Sequence, residues 1–476
     1  MTPPSESPHH AELRYGISQI DVTPPVGIFH RFWGAANHDV ATDVHRPIYV
    51  TASALAGPQP DGHTWILVTS DHCILRPQDM AWLRKHVEES LEGTPGVRVS
   101  FSFGHSHSAG HICSHRADRP GGELIAPYLD LLLENTIEAV RRALTKMEPA
   151  RATIANTTCD MGAHRDFKDP ADGRFVCGFN PAQTISLPVQ VLRVRTTDGS
   201  EHGTLVTYPC HHTTLAWENS LISPDYIGAM REVIELSSGV PCQFLLAPCG
   251  DIGPRHGFVG DPGIADSNGR QLGHSALSAW HSLDHTNGDF VYQGPVLSGA
   301  TLGEWRYEGW SGGETPFFHE RFQVDLPYRK DLRSPTVVND ELAQWEAQGE
   351  PADRSNPDRA GTVRAMAERC RREWERVESL PTGDTYPLQV DHLRLGTIDV
   401  ILVEGEPYFQ LLTDLQAAVP DREIVVGVLS EGSRCSYMPT FESYSKQLYQ
   451  VDVSLLAAGC LETLTEAIAS RLLAGV

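Results

Sequence analysis

The chain has 476 residues, 40% of them apolar, and a formal net charge of −23. That length allows two or three domains or one large domain with insertions, and the apolar share supplies a sizeable core. The acidic balance disfavours nucleic acid and anionic lipid surfaces as main partners, and no window approaches the ~20 apolar residues of a membrane span.

The ten cysteines are scattered and none forms a CxxC pair, which argues against a zinc ribbon or a dithiol redox site. Residues 1–12 are polar and rich in Pro, Ser and His, without the basic and apolar regions of a secretion signal. They read as a disordered tail. Together these features point to a cytoplasmic protein with reduced thiols.

From Arg14 to Gly303 short apolar strands alternate with helical patterns. Residues 65–69 read as a buried strand, 79–91 as a helix and 97–103 as a second strand. Residues 124–147 form a long amphipathic helix, because Leu129, Leu132, Leu133, Ile137 and Val140 recur at helical spacing. Residues 189–195, 204–208 and 243–247 continue the strand series. A helix over 225–236 lies between the last two, with Pro224 in its first turn.

Composition shifts at 304–385. Residues 304–322 are rich in aromatics and glycine, and 339–380 are highly charged, reading as one or two surface helices. This stretch is expected to be an insertion, either a lid or a solvated excursion. Strand patterns return at 389–395 and 397–403. A helix over 407–418, a strand over 424–429 and a C-terminal helix over 455–473 complete the chain. The alternation predicts an α/β architecture, with a body of residues 13–303 and 386–476.

Two histidine clusters follow predicted strands: Gly104-His105-Ser106-His107-Ser108 and Cys210-His211-His212-Thr213-Thr214. His105 and His107 share one face if the strand continues, and zinc favours imidazole nitrogen and carboxylate oxygen. His111 and His115 follow at helical spacing and either enlarge such a site or lie outside it. Of the neighbours His211 and His212, strand alternation lets one reach a given metal. Cys249-Gly250-Asp251-Ile252-Gly253-Pro254 is a turn beyond a strand end, where α/β sheets place functional groups. Asp251 there caps the turn or orients a ligand histidine. Glu406 opens a predicted helix, as a carboxylate ligand or as an acid favoured by the helix dipole. Tyr437 and Tyr449, taken alone, read as packing residues. Trp305, Tyr307, Trp310, Phe317 and Phe318 either line a mouth or pack the insertion onto the body.

Taken in order, these pieces resemble the neutral/alkaline (non-lysosomal) ceramidase family. The start Gly16-Ile17-Ser18-Gln19-Ile20-Asp21-Val22-Thr23-Pro24-Pro25 is similar to G-x-x-x-x-D-I-T-P-P, and Val44-His45-Arg46-Pro47-Ile48-Tyr49 to G-x-H-x-P-L-Y. The two histidine clusters resemble T-H-T-H-S and H-A-T-S-M, the latter followed by Leu221-Ile222-Ser223-Pro224-Asp225. Gly250 to Pro254 is similar to G-D-V-S-P, Gly405-Glu406 to P-G-E, and residues 437–449 to Y-x-T-x-E-x-Y-x-x-x-x-Y. The resemblance spans about residues 14–300 and 388–473.

The resemblance implies a mixed β-sheet core with alternating helices. It implies a Zn²⁺ ion held by His105, His211, Glu406 and Tyr437, and a catalytic group of His107, Arg165 and Tyr449. His212 stands where the family has a small residue, which leaves room for a second metal. Gly253 stands where the family has a serine implicated in catalysis, which points away from ceramide itself. The expected function is zinc-dependent hydrolysis of an amide (N-acyl) bond in a small or medium substrate by metal-activated water. An ester or lactone hydrolase on the same scaffold, or a catalytically idle metal-binding protein, is the alternative. The expected partner is a small-molecule substrate, with a homo-oligomer left open.

Overall fold

The computed structural model describes residues 5–6, 8–59, 62–310, 315–348, 357–432 and 435–474. Eight strands make the main sheet: β1 (His10–Asp21), β2 (Tyr49–Ala56), β3 (Thr64–His72), β4 (Val97–Ser106), β5 (Glu148–Cys159), β6 (Leu187–Thr196), β7 (Glu201–Tyr208) and β8 (Cys242–Leu246). Their spatial order is β8-β7-β6-β5-β1-β2-β3-β4. The sheet is mixed: only the outer pairs β7–β8 and β3–β4 are parallel, and the five inner pairings are antiparallel.

The strands are apolar on both faces, so both faces must be covered. In chain order the helices of the first half are α1 (Pro77–Glu89), α2 (Ile125–Thr145), α3 (Tyr226–Ser238) and α4 (Pro262–Ser282). Helices α2, α3 and α4 cover one face. The approach of α2 to β1 is close: a Cβ on Gly16 would lie 2.2 Å from the carbonyl oxygen of Ala143, so only glycine fits there.

The other face packs on a second sheet of β9 (Phe317–Pro327), β10 (Thr385–Leu395), β11 (Ile398–Val403) and β12 (Glu423–Gly427), in that order. Leu13, Tyr15, Ile17, Trp65 and Leu67 of the main sheet share one buried cluster with Leu393, Leu395, Val400 and Leu402 of the second. The later helices are α5 (Pro335–Ala347), α6 (Pro357–Val377), α7 (Gln410–Ala418) and α8 (Cys460–Ala474). Helix α7 lies on β12 and α8 on β9. The result is four layers, helix–sheet–sheet–helix, the mixed α/β class that the sequence predicts. Among the described residues no helix is long and apolar enough to cross a membrane.

Several local expectations change. Residues 10–12, read as tail, open β1, where they pair with Arg151 to Thr153 of β5. Pro224 lies outside its helix, because Asp225 is the cap: it takes φ 57° and its carboxylate accepts the Tyr226 N–H. The helix expected from residue 407 begins at Gln410, because Glu406 and Pro407 pair in parallel with Tyr437 and Met438.

Within 304–385, β9 is the edge strand of the second sheet. Helix α6 is pinned to the body by ion pairs. Arg116, fully buried, meets Glu368 at 2.8 Å and Glu375 at 2.9 Å, and Arg76 meets Glu375 at 2.9 Å. Of the two readings of the aromatics, packing is the one seen. Trp305 and Tyr307 pack on Phe290 within the hairpin of Gly288–Ser298 and Ala300–Gly309. Trp310 stacks on His10, Phe317 covers Gly57 and Phe318 meets His392.

Candidate metal centre

His105 sits near the end of β4 with φ 71°, a left-handed conformation uncommon outside glycine. Its Nδ1–H donates to the carbonyl of Cys73 at 3.0 Å, which aims Nε2 inward. His211 follows β7, and its Nδ1–H donates to the carbonyl of Cys249 at 2.7 Å. Its Nε2 faces the same point. Glu406 and Tyr437 are register partners in the short parallel pairing, so the backbone itself brings carboxylate and phenol together.

The three clearest donors converge. Glu406 Oε2 is 2.9 Å from His211 Nε2 and 3.4 Å from His105 Nε2. The ligand atoms of His105, His211 and Glu406 all lie within 4.8 Å of one another, and all three residues are buried. Tyr437 OH is 3.3 Å from His211 Nε2. With both Nδ1 protons committed to carbonyls, two imidazole lone pairs face a carboxylate. Such a donor set fits a divalent cation, with tautomers fixed from outside as in known metal-binding histidines.

The electrostatics agree. Burial opposes charge on Glu406, but His105 and His211 outweigh it and hold its carboxyl well below the usual range. Burial, helped by Arg165, pushes His211 down to about 4, so it is a neutral imidazole near neutral pH. On His105 burial is outweighed by Cys73 and Glu406, which raise it. The shifts of Glu406 and His105 are those of a centre that favours positive charge, while that of His211 runs the other way.

His107 Nε2 lies 3.3 Å from His105 Nε2, and its ring packs on Phe32 and Trp33. The positive φ at His105 breaks the pleat, so the two histidines meet across a turn instead of sharing a strand face. Arg165 donates to the carbonyl of Gly250 at 2.6 Å and lies 5.3 Å from the Tyr437 ring centre. Tyr449 is half exposed and packs edge-on against Tyr437. His212 turns into the core against Tyr226 and Phe244 and is outside the convergent group. His111 is buried against Phe29 and Phe32, and His115 lies on Trp374. Asp251 caps the chain after Glu406: its Oδ1 accepts the Phe409 N–H at 2.8 Å.

A cavity of about 390 Å³ opens beside the centre. His107, Arg165, Tyr437 and Tyr449 line it, with Trp33, Thr213, Trp217 and Phe258 and with Arg369, Arg372 and Arg376 of α6. Sequence reasoning missed this second group. No local pattern marks Thr213, whose hydroxyl is buried without a hydrogen-bond partner. A Cβ on Gly253 would stand 3.6 Å from Arg165 Cδ and 3.9 Å from Thr213 Oγ1, so the missing serine hydroxyl belongs beside these two groups. Cys73 was missed as well; with His105 and His107 it forms a second set of close donors that shares His105.

No family model matches the chain, and no curated protein matches it. Solved structures do. A ceramidase complexed with C2 superposes with a TM-score of 0.63 at 15% identity, over 97% of this chain and 74% of that one. The neutral ceramidase from Pseudomonas aeruginosa gives 0.62 at 16% identity, over 97% and 73%. The chain thus has the fold of these ceramidases, at a sequence distance where the likeness speaks for the fold alone.

Proposed function

We propose that this chain is a zinc-dependent hydrolase that cleaves an amide (N-acyl) bond of a small or medium substrate in the cavity beside His105, His211 and Glu406. The observation that carries the reading is the convergence of two Nε2 lone pairs on one buried carboxylate, with both Nδ1 protons committed elsewhere. Tyr437 completes the ligand set. The ceramidase fold supports an amide as the bond cleaved. A zinc ion held there supplies Lewis acidity, activating water near neutral pH and polarising the scissile carbonyl.

The chain's own groups do the rest. Arg165 holds a fixed positive charge at the cavity wall, where it steadies negative charge on the carbonyl oxygen. His107 is buried, and burial together with His105 and His211 keeps it well below its usual pKa. It is therefore neutral, and its ring can hydrogen-bond water and the leaving amine at the centre. Tyr449, at the rim, donates its hydroxyl proton to the substrate. Thr213 offers a hydroxyl free of other partners. In this reading residues 13–303 and 386–476 form the body, and 304–385 supply the cavity wall through α6. The ten cysteines are all free thiols, which suits a reducing compartment such as the cytoplasm.

The test is turnover of matched N-acyl amides, esters and lactones by zinc-loaded and chelator-stripped protein. Amide cleavage that vanishes on stripping and returns with zinc is expected. Cleavage of esters or lactones alone would move the reading to those bonds, and cleavage of none would leave a metal-binding protein.

A further inference from the structure

The chain carries 61 acidic and 38 basic side chains other than histidine, so an arginine on an inner surface seldom lacks a carboxylate. Elsewhere the buried ones are matched: Arg231 by Asp71, Arg193 by Glu201 and Asp284, and Arg116 by Glu368 and Glu375. The cavity wall is different. Among the described residues, Arg165, Arg369 and Arg376 lie on it without an ion pair. Arg165 is only 3% exposed and spends one N–H on a backbone carbonyl, while its Nε has no partner. The Nε of Arg376 is likewise buried and unpartnered, as is Nη2 of Arg372.

The carboxylates of the wall do not compensate. Glu368 is held by Arg116 and Arg372, and Glu373 by Arg333. That leaves Asp452, at the mouth, against three guanidinium groups. The unpartnered charge of Arg165 and Arg376, whose Nε atoms are buried, is costly, and a bound anion relieves that cost. A guanidinium fork matches a carboxylate in two parallel hydrogen bonds. Across from these arginines stand Trp33, Trp217 and Phe258, packed edge to face and face to face at 5.6 to 6.3 Å. They offer an apolar corner, with Trp33 set at nearly a right angle to the other two rings.

We propose that the substrate carries a carboxylate, received by Arg376 and Arg369, and an apolar or aromatic portion received by Trp33, Trp217 and Phe258. The inference rests on the hydrolase reading for placing the scissile bond at the metal centre. A neutral lipid amide would leave Arg376 and Arg369 without a counter-charge, so the cavity selects a charged N-acyl compound instead.

Calorimetric binding of phenylacetate and phenylacetamide to zinc-loaded protein tests this without turnover, because the two differ in charge and scarcely in shape. Phenylacetate should bind about tenfold or more tighter, the scale of a charge-assisted hydrogen bond. Arg376→Gln should abolish most of that preference at unchanged zinc content. Arg369→Gln, at an exposed position that folding does not depend on, should reduce it in the same direction. The preference should persist in chelator-stripped protein. Equal binding of the two probes, failure of both to bind, or a preference that disappears with the metal would overturn the proposal. A phenylacetate preference in a protein that cleaves no amide would keep the anion site and sink the hydrolase reading.

Discussion

At the scale of single residues, the centre rests on side chains whose orientation is set from behind. His105 and His211 are aimed by carbonyls of Cys73 and Cys249, so their role is fixed before any ligand arrives. Arg165 is buried but binds no carboxylate. Arg165→Ala should therefore retain zinc and lose rate, by about 3 kcal/mol of barrier if it acts as one oxyanion donor. Steady-state kinetics with elemental analysis checks both halves. Thr213→Val removes a buried hydroxyl that has no partner, and a buried unsatisfied group costs about 1–3 kcal/mol. Unfolding midpoints should hold or rise while turnover falls. The candidate histidines His105 and His211 were legible mainly through the family resemblance, since an H-x-H or an H-H after a strand is by itself a weak signal. Thr213 and the arginines of α6 were not, since a threonine or a surface-like charged helix carries no sign of the cavity it will face.

At the scale of elements, α6 reads in the sequence as a solvated charged helix, and it is charged. Its Glu368 and Glu375, however, are buried on Arg116 and Arg76. Charge alone could not reveal this, because the partners lie far away in the chain. Arg116→Ala leaves two buried carboxylates short of a partner and should destabilise by about 3–5 kcal/mol in chemical denaturation. Burial alone would raise the pKa of Glu368, but Arg116 and Arg372 outweigh it and depress it from 4.5 to about 2. A depressed folded pKa gives stability that is complete above pH 4.5 and is lost as pH falls from 4.5 toward 2. Denaturation midpoints should fall through that window, and fall less in Glu368→Gln. Strands dense in Val, Ile and Leu, such as β11 and β12, were legible. The run Tyr-Val-Thr-Ala-Ser-Ala-Leu-Ala of β2 was not, because small residues give a weak signal and are chosen there for close packing under α2.

At the scale of the whole molecule, the two sheets share one apolar interior, and the centre joins their ends. His105 and His211 come from the main sheet. Glu406 follows β11 of the second sheet, and Tyr437 follows β12. The α/β class was legible from alternating periodicities, whereas the order of eight strands was not, since the sheet is joined in its middle by β1 and β5, which lie far apart in the chain. A cation held by both halves would bind the folded chain and not the unfolded one. It should add about 2.7 kcal/mol at a hundredfold excess over its Kd, seen as a drop in thermal midpoint on chelation.

The most direct measurement is zinc content and amide turnover of the purified protein beside its His211→Ala and Glu406→Ala variants. The account predicts about one zinc per chain in the parent, as a site of four protein ligands holds, with metal and activity lost together in each variant. Full amide cleavage by either variant after rigorous metal removal would contradict it.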